Sequence, residues 1–347
     1  MIRRLILAAT TALLLAAPAD VQAQSKELLL FNWTNYMPPA LLKRFEAETG
    51  IKVTLDTYDT NESMLAKLQA GGSGYDLVVP TGPTVKQMIH DGLLLKSDVQ
   101  SMPNYKNIRA PFDKPEFDPA REYSAPYMWG TTGIAYDTAI AKEKLTDSWK
   151  EIFEPRPEFA GKLAMLSDMG EVFAAAAFYL GFDRCTDNPE QGQAILELLQ
   201  RQKPAVKVYS ASGTVDRMAS GEVAMHQAWN GAFHRAQAKR ATLAYIYPRE
   251  GTNLWADNFV IPKGARNIDN AKLFINFMLD PKNAGEASNF TGYNNTITGS
   301  EALLTDALKA DAAVNTPANM MGRLNLSREC PKTNLDLREK VWTRLQR

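Results

Sequence analysis

In a chain of 347 residues, 39 lysines and arginines are matched by 39 aspartates and glutamates, and no run of basic residues stands out. That balance argues against nucleic acid as a partner, because proteins that bind it carry a basic patch to neutralise phosphates. Two cysteines allow a single intramolecular pair, Cys185 with Cys330, and an oxidising compartment would permit it; two free buried thiols are the alternative.

Residues 1–23 read as a secretory signal. Arg3 and Arg4 form its charged start, Leu5 to Ala17 is an apolar run too short to span a bilayer, and Val21-Gln22-Ala23 is a small-x-small cleavage site. A membrane anchor is the rival reading, and the short run counts against it. The prediction is export, to a bacterial periplasm. The remaining length, about 320 residues, is more than one core usually serves, so two lobes are expected.

Leu28 to Phe31 is too short for a helix and suits a strand buried on both faces. It runs into a polar-aromatic tip, Asn32-Trp33-Thr34-Asn35-Tyr36, and in open α/β sheets ligands sit outside the carboxyl ends of strands. A helix over 40–48 follows Pro38-Pro39 and stops at Gly50. The pattern then predicts a strand over 51–55, a helix over 62–70 capped by Thr60 or Asn61, a strand over 76–80 and a helix over 84–90. Gly71 to Gly74 lacks the following Lys-Ser or Lys-Thr of a nucleotide loop and reads as a turn. This β-α-β-α-β order implies a mainly parallel sheet with helices on both faces. After an irregular stretch over 101–120, Tyr123 to Tyr136 looks extended, a crossover between lobes with Gly130 and Gly133 as places where backbone angles can change.

Beyond it the reading gives a short helix over 148–153, a strand over 162–166, helices over 171–180, 191–202 and 214–219, and strands over 224–229 and 242–247. Residues 254–262 look like a second crossover. A helix over 270–279, a turn over 291–295 and a terminal helix over 335–345 complete the chain.

Enzyme signatures are scarce. His90, His226 and His234 have no HExxH spacing and no Cys-x-x-Cys nearby, so no metal site is read, and no G-x-S-x-G elbow supports a serine nucleophile. Asp168 and Glu171, three apart at a helix start, favour capping first, ligand binding next and acid/base catalysis last. More informative is where aromatics and acids fall together. Trp33 and Tyr36 end one strand, Trp229 ends another, Trp255 and Asp257 share a crossover, and Tyr293 sits on a turn. Aromatic faces with carboxylates suit an organic cation. Each π face attracts an ammonium by about 0.5–2 kcal/mol, and a charge-assisted hydrogen bond adds roughly 1.5–3 kcal/mol.

Asn32 to Tyr36, Tyr75 to Pro80, Ala125 to Gly130, Glu171-Val172-Phe173, Trp229-Asn230-Gly231, Trp255-Ala256-Asp257 and Gly292-Tyr293 together resemble the periplasmic polyamine-binding proteins of ABC uptake systems. The resemblance covers nearly the whole mature chain, in order and at similar spacing. It implies a two-lobed, type II binding-protein fold of class α/β, with mixed, mainly parallel sheets and a cleft between lobes. One lobe would be 24–133 plus 258–301, the other 134–257 plus 302–347. That division places Cys185 and Cys330 in the same lobe and favours their disulfide. The resemblance puts Trp33, Tyr36, Trp229, Trp255 and Tyr293 around a methylene chain, with Thr34 and Asn35 at the strand tip. Asp168, Glu171 and Asp257 would meet ammonium groups. No cofactor is implied.

The chain departs from that pattern in three places. Family members usually carry an acid where this chain has Asn35, which removes one carboxylate from one end of the pocket. An aromatic that some members have after the Val-Val-Pro strand is replaced around Pro83-Thr84. The glutamine some spermidine binders use near the C-terminus finds no counterpart in the sequence. The resulting expectation is a non-enzymatic, monomeric receptor that captures putrescine or spermidine and passes it to an inner-membrane permease. A receptor for another small organic cation (an amino acid, agmatine or a quaternary amine) is the alternative on the same fold. A carboxylate-dependent hydrolase and a ligand-sensing partner of a membrane receptor are the rivals from other classes.

Overall fold

The computed structural model describes residues 25–71 and 74–347. The signal read over 1–23 lies outside them, as does the middle of the Gly71–Gly74 turn. The chain opens with β1 (Glu27–Trp33), α1 (Pro39–Thr49), β2 (Lys52–Tyr58), α2 (Asn61–Gln69), β3 (Leu77–Val78), α3 (Gly82–His90) and β4 (Leu94–Leu95). The long β5 (Ser124–Asp137) leads to α4 (Lys150–Phe153), β6 (Leu163–Met165), α5 (Met169–Tyr179), α6 (Pro189–Gln202), β7 (Val206–Tyr209), α7 (Thr214–Ser220), β8 (Met225–Trp229), α8 (Asn230–Gln237) and β9 (Leu243–Ile246). A second long strand, β10 (Thr252–Pro262), returns to α9 (Ile268–Met278), α10 (Pro281–Thr291) and β11 (Asn294–Asn295), before α11 (Asp306–Ala310), β12 (Leu324–Leu326) and α12 (Lys332–Gln346).

Local chemistry sets several of these ends. Gly50 closes α1 with a left-handed φ of 71°, which a side chain would resist. The Thr60 hydroxyl accepts the Ser63 N–H to cap α2, and the Asp168 carboxylate accepts the Glu171 N–H to cap α5.

The strands form one continuous sheet in the order β2-β1-β3-β10-β5-β8-β6-β7, with β4 and β12 added to β10 and β9 and β11 added to β5. Each flank is parallel, β2-β1-β3 on one side and β8-β6-β7 on the other, as the alternation of strands and helices predicts. The two long strands in the middle are antiparallel to each other. β10 is also antiparallel to β3, and β5 to β8, so parallel pairing is confined to the flanks and to β10 with β12. The first half of β5 lies along β10 and its second half along β8 and β9. These two strands lie between the two parallel flanks.

Apolar side chains cover both faces of each flank. Around β1, Leu28 and Leu30 join Leu41, Phe45 and Phe274, while Phe31 turns the other way to Val85 and Met88. That explains a strand apolar at consecutive positions. On the other flank, Leu163 and Met165 meet Phe173, Leu196 and the terminal-helix residues Val341 and Leu345. Cys185 and Cys330 are joined as a disulfide, Cα to Cα 5.0 Å, which fastens the segment before α12 beside the start of α6.

Gly130 and Gly133 do something other than supply bending points. Both lie inside β5, and each is needed for close approach: a Cβ on Gly130 would stand 2.6 Å from the Trp255 ring, and one on Gly133 would stand 2.8 Å from the Tyr245 ring. Glycine here makes room for the Trp255 ring on β10 and the Tyr245 ring on β9.

Candidate ligand-binding cleft

A cleft of about 800 Å³ runs between the lobes at the carboxyl ends of β1 and β8, with β10 passing beneath it. All ten residues singled out from the sequence line it. Trp33, Thr34, Asn35 and Tyr36 come from the end of β1, Asp168 and Glu171 from the start of α5, and Trp229 from the end of β8. Trp255 and Asp257 come from β10, and Tyr293 follows α10.

The floor is one face of β10. Asn253, Trp255 and Asp257 alternate along it, spanning about 13 Å at the usual rise per residue. Pairing with β5 slips between Ala256 and Asn258, where two β5 residues, Tyr127 and Met128, stand opposite Asp257, which bridges to Thr81 on its other side. Here Asp257 Oδ2 accepts the Tyr36 hydroxyl at 2.7 Å, while Oδ1 is buried without a partner. Burial pushes the Asp257 carboxyl up to about 8; the Tyr36 bond opposes that rise, and the charges of Glu171 and Asp168 add to it.

Glu171 is the second buried acid. Its Oε1 accepts the Asn253 side-chain amide at 2.9 Å, and its Oε2 has no partner at hydrogen-bond geometry. Burial, then the neighbouring Asp168, pushes it up to about 7, against the pull of Arg184. Asp168 is both a cap and a cleft residue: it accepts the Glu171 N–H at 2.9 Å, and burial raises its carboxyl while that bond and Arg338 hold it back. Glu62, at the start of α2, is exposed as a residue, but it lines the cleft. Desolvation and the Asp168 charge push it up to about 7 there.

Two guanidiniums back these acids. Arg184 donates to the Asn253 side-chain oxygen and, at 3.0 Å, to the Ser327 hydroxyl. Arg338, on α12, donates to the Arg184 carbonyl at 2.9 Å and lies 5.4 Å over the Phe173 ring. Burial lowers the Arg338 guanidinium to about 10, so it stays charged at neutral pH and tempers the acids without neutralising the cleft.

The aromatics form two groups. Tyr36, Trp255 and Tyr293 pack edge-to-face, with centroids 5.5 Å apart for Tyr36–Tyr293 and 5.2 Å for Trp255–Tyr293. Tyr127 locks this box from behind, donating its hydroxyl to the Tyr36 carbonyl at 2.6 Å. Trp33 donates its indole N–H to the Val79 carbonyl at 2.8 Å and meets Trp229, at the end of β8, edge-on at 6.2 Å. Other contacts also cross the cleft: Ser212 donates to Asp59, and Lys86 pairs with Glu329 at 3.0 Å. None of the three histidines lines the cleft: His226 is buried against the Gln227 carbonyl, His234 bonds Asp311 at 2.6 Å, and His90 pairs with Asp91.

Asn253, Arg184, Arg338, Arg235 and Glu62 also face the cleft and were not read from the sequence. The period of β10 was enough to add Asn253, two residues before Trp255. The arginines and Glu62 gave no such signal, because each lies in a polar stretch that resembles an ordinary solvated face.

Comparison with known proteins fits this architecture. Residues 40–316 match the family model of the bacterial extracellular solute-binding proteins. The chain belongs to that family. This solute-binding protein is 32% identical to the putrescine-binding periplasmic protein SpuD of Pseudomonas aeruginosa, over 93% of each chain. It is 33% identical to the spermidine/putrescine-binding periplasmic protein of Salmonella typhimurium, over 91% of each. Among solved structures, the TpPotD lipoprotein of Treponema pallidum superposes with a TM-score of 0.80 at 31% identity, covering 92% of this chain and 99% of that one. PotD of Streptococcus pneumoniae gives 0.76 at 30% identity, covering 93% and 99%. No helix among the described residues is long and apolar enough to cross a membrane.

Proposed function

We propose that this solute-binding protein captures a polyamine of the putrescine and spermidine class in the interlobe cleft and delivers it to an ABC permease. It acts in the periplasm as a monomer after its signal is removed, and it performs no chemistry on its cargo. The observation that carries this reading is the pair of buried, unpartnered carboxylate oxygens, Asp257 Oδ1 and Glu171 Oε2, beside the Tyr36–Trp255–Tyr293 box. A buried carboxylate lacking partners is costly, and an ammonium supplies both charge and donors. Rings on either side cover the methylenes between ammoniums and attract their charge. The names of the relatives support the same class of ligand.

The moving units are 24–133 plus 258–301 and 134–257 plus 302–347. The division of the core supports that split, with Trp255 packing across the boundary into the first unit. Ligand binds the closed arrangement better than the open one and so shifts the population towards it.

The test is a thermal melt of the mature protein, unfolded and refolded beforehand to strip carried ligand. At a hundred times its dissociation constant, putrescine adds about 2.7 kcal/mol of stability, a rise of several degrees in Tm for a chain of this size. A melt that no polyamine moves, but that another small cation raises, would replace the polyamine with that cation.

A further inference from the structure

The cleft is not acidic throughout. Arg235, on α8 of the second lobe, reaches over to the strand tip of the first and donates to the Asn35 carbonyl at 3.3 Å. It also stands against the Tyr293 phenol, whose ionisation it eases. Its Nε is buried with no partner, and both Arg235 and Asn35 line the cleft. A guanidinium therefore occupies the end where the strand tip offers an amide in place of a carboxylate. The buried acids lie elsewhere, Asp257 beside Tyr36 and Glu171 with Asp168 at the start of α5, while Asp59 and Glu62 also line the cleft from the first lobe.

Resting on the polyamine reading above, we propose that Arg235 is a specificity-determining residue: with Asn35 it closes one end of the cleft to an ammonium, so that the protein takes diamines and rejects triamines. Two ammoniums find opposite charge, one at Asp257 and one at Glu171 and Asp168. A third, carried on along the chain towards Asn35, would meet a fixed positive charge and an amide in place of a carboxylate. Juxtaposing like charges is a means of refusing a wrong partner, and here the Arg235–Asn35 contact stands at the exposed rim of the cleft. The same contact joins the two lobes, so a ligand that displaced Arg235 would also lose part of what holds the cleft shut.

Asn35 has a φ of 57°, a conformation that Asp adopts nearly as readily as Asn, so Asn35→Asp restores a carboxylate without disturbing the turn. Arg235→Gln removes the charge and keeps hydrogen-bonding groups. Calorimetric titrations of wild type, Arg235→Gln and the Arg235→Gln/Asn35→Asp double variant with putrescine and spermidine test the proposal, the readout being the ratio of the two affinities within each protein. Wild type is expected to prefer putrescine by about a hundredfold or more, Arg235→Gln to narrow that ratio at least about tenfold, and the double variant to narrow it further. Equal affinities in wild type, or a ratio that Arg235→Gln leaves unchanged, would overturn the gate while leaving polyamine capture intact. Tighter binding of γ-aminobutyrate than putrescine, lost in Arg235→Gln, would overturn it by showing that Arg235 holds a carboxylate. Heat from neither amine in wild type would remove the polyamine reading itself, and the gate with it.

Discussion

Asp257→Asn is expected to weaken putrescine binding by roughly 30-fold to several thousandfold, the 2–5 kcal/mol lost when one partner of a buried, hydrogen-bonded charge pair is removed. Asparagine has the same shape and can still accept the Tyr36 hydroxyl that now bonds Asp257 Oδ2 at 2.7 Å. The alternation of β10 that turns residue 257 into the cleft belongs to the backbone, which the substitution leaves alone. Calorimetric titration, alongside a melt of the ligand-free protein, separates binding from folding. Because burial disfavours the Asp257 charge, the ligand-free variant should melt no lower than wild type at pH 8. A variant that bound putrescine within a few-fold of wild type would show that the ammonium does not sit on Asp257.

Binding is expected to release protons and to weaken steeply in acid. Glu171 at about 7 and Asp257 at about 8 are wholly or partly protonated at neutral pH in the ligand-free cleft, mainly because of burial. A dication reverses that preference, so on the order of one proton leaves per ligand at pH 7. Affinity should approach a plateau above about pH 9 and fall by nearly three orders of magnitude, roughly 500-fold, between pH 8 and pH 6. Stability without ligand runs the other way. Both folded-state values lie above the unfolded value of about 4, so the stability linked to these two acids is complete below pH ~4 and is lost as pH rises through about 7 and about 8. Titrations in two buffers of different ionisation heat count the protons directly. An affinity constant within about threefold from pH 6 to pH 8 would mean that the acids are already ionised without ligand.

What the sequence made legible follows the range of the forces involved. The strand over 28–31 and its aromatic tip were readable because burial on both faces and a sharp change to polar residues are local. The second crossover was visible as a long extended run around Trp255. The slip in pairing at Asp257 was not, since it depends on how β10 registers against β5. Short elements such as β4, α11 and β12 went unread, and so did three more substantial ones. β7 is four residues long with a mixed pattern, and α8 opens on Asn230 and Gly231 and looks like a loop. α10 carried its own signals: Asp280 caps it, Pro281 begins it, and Gly292 ends it with a φ of 77°. Its polar face concealed it.

The site divides in the same way. The aromatics and acids stand out in sequence because Trp beside Asp or Asn at the end of an element is uncommon. Arg338 does not stand out, since it sits on a terminal helix rich in charge. It is buried because that helix packs over α5, with the Cys185–Cys330 link fastening the segment before it. Asp168 shows that two readings of one residue can hold together, for it caps α5 and faces the cleft.

The most direct test of polyamine capture is calorimetric titration of the refolded mature protein with putrescine, cadaverine, spermidine, agmatine, γ-aminobutyrate and betaine. Polyamine capture through paired carboxylates predicts one tight site for putrescine or cadaverine and little heat from betaine, which has no N–H to offer Asp257 or Glu171. Silence from every polyamine, with heat from betaine or γ-aminobutyrate, would contradict it.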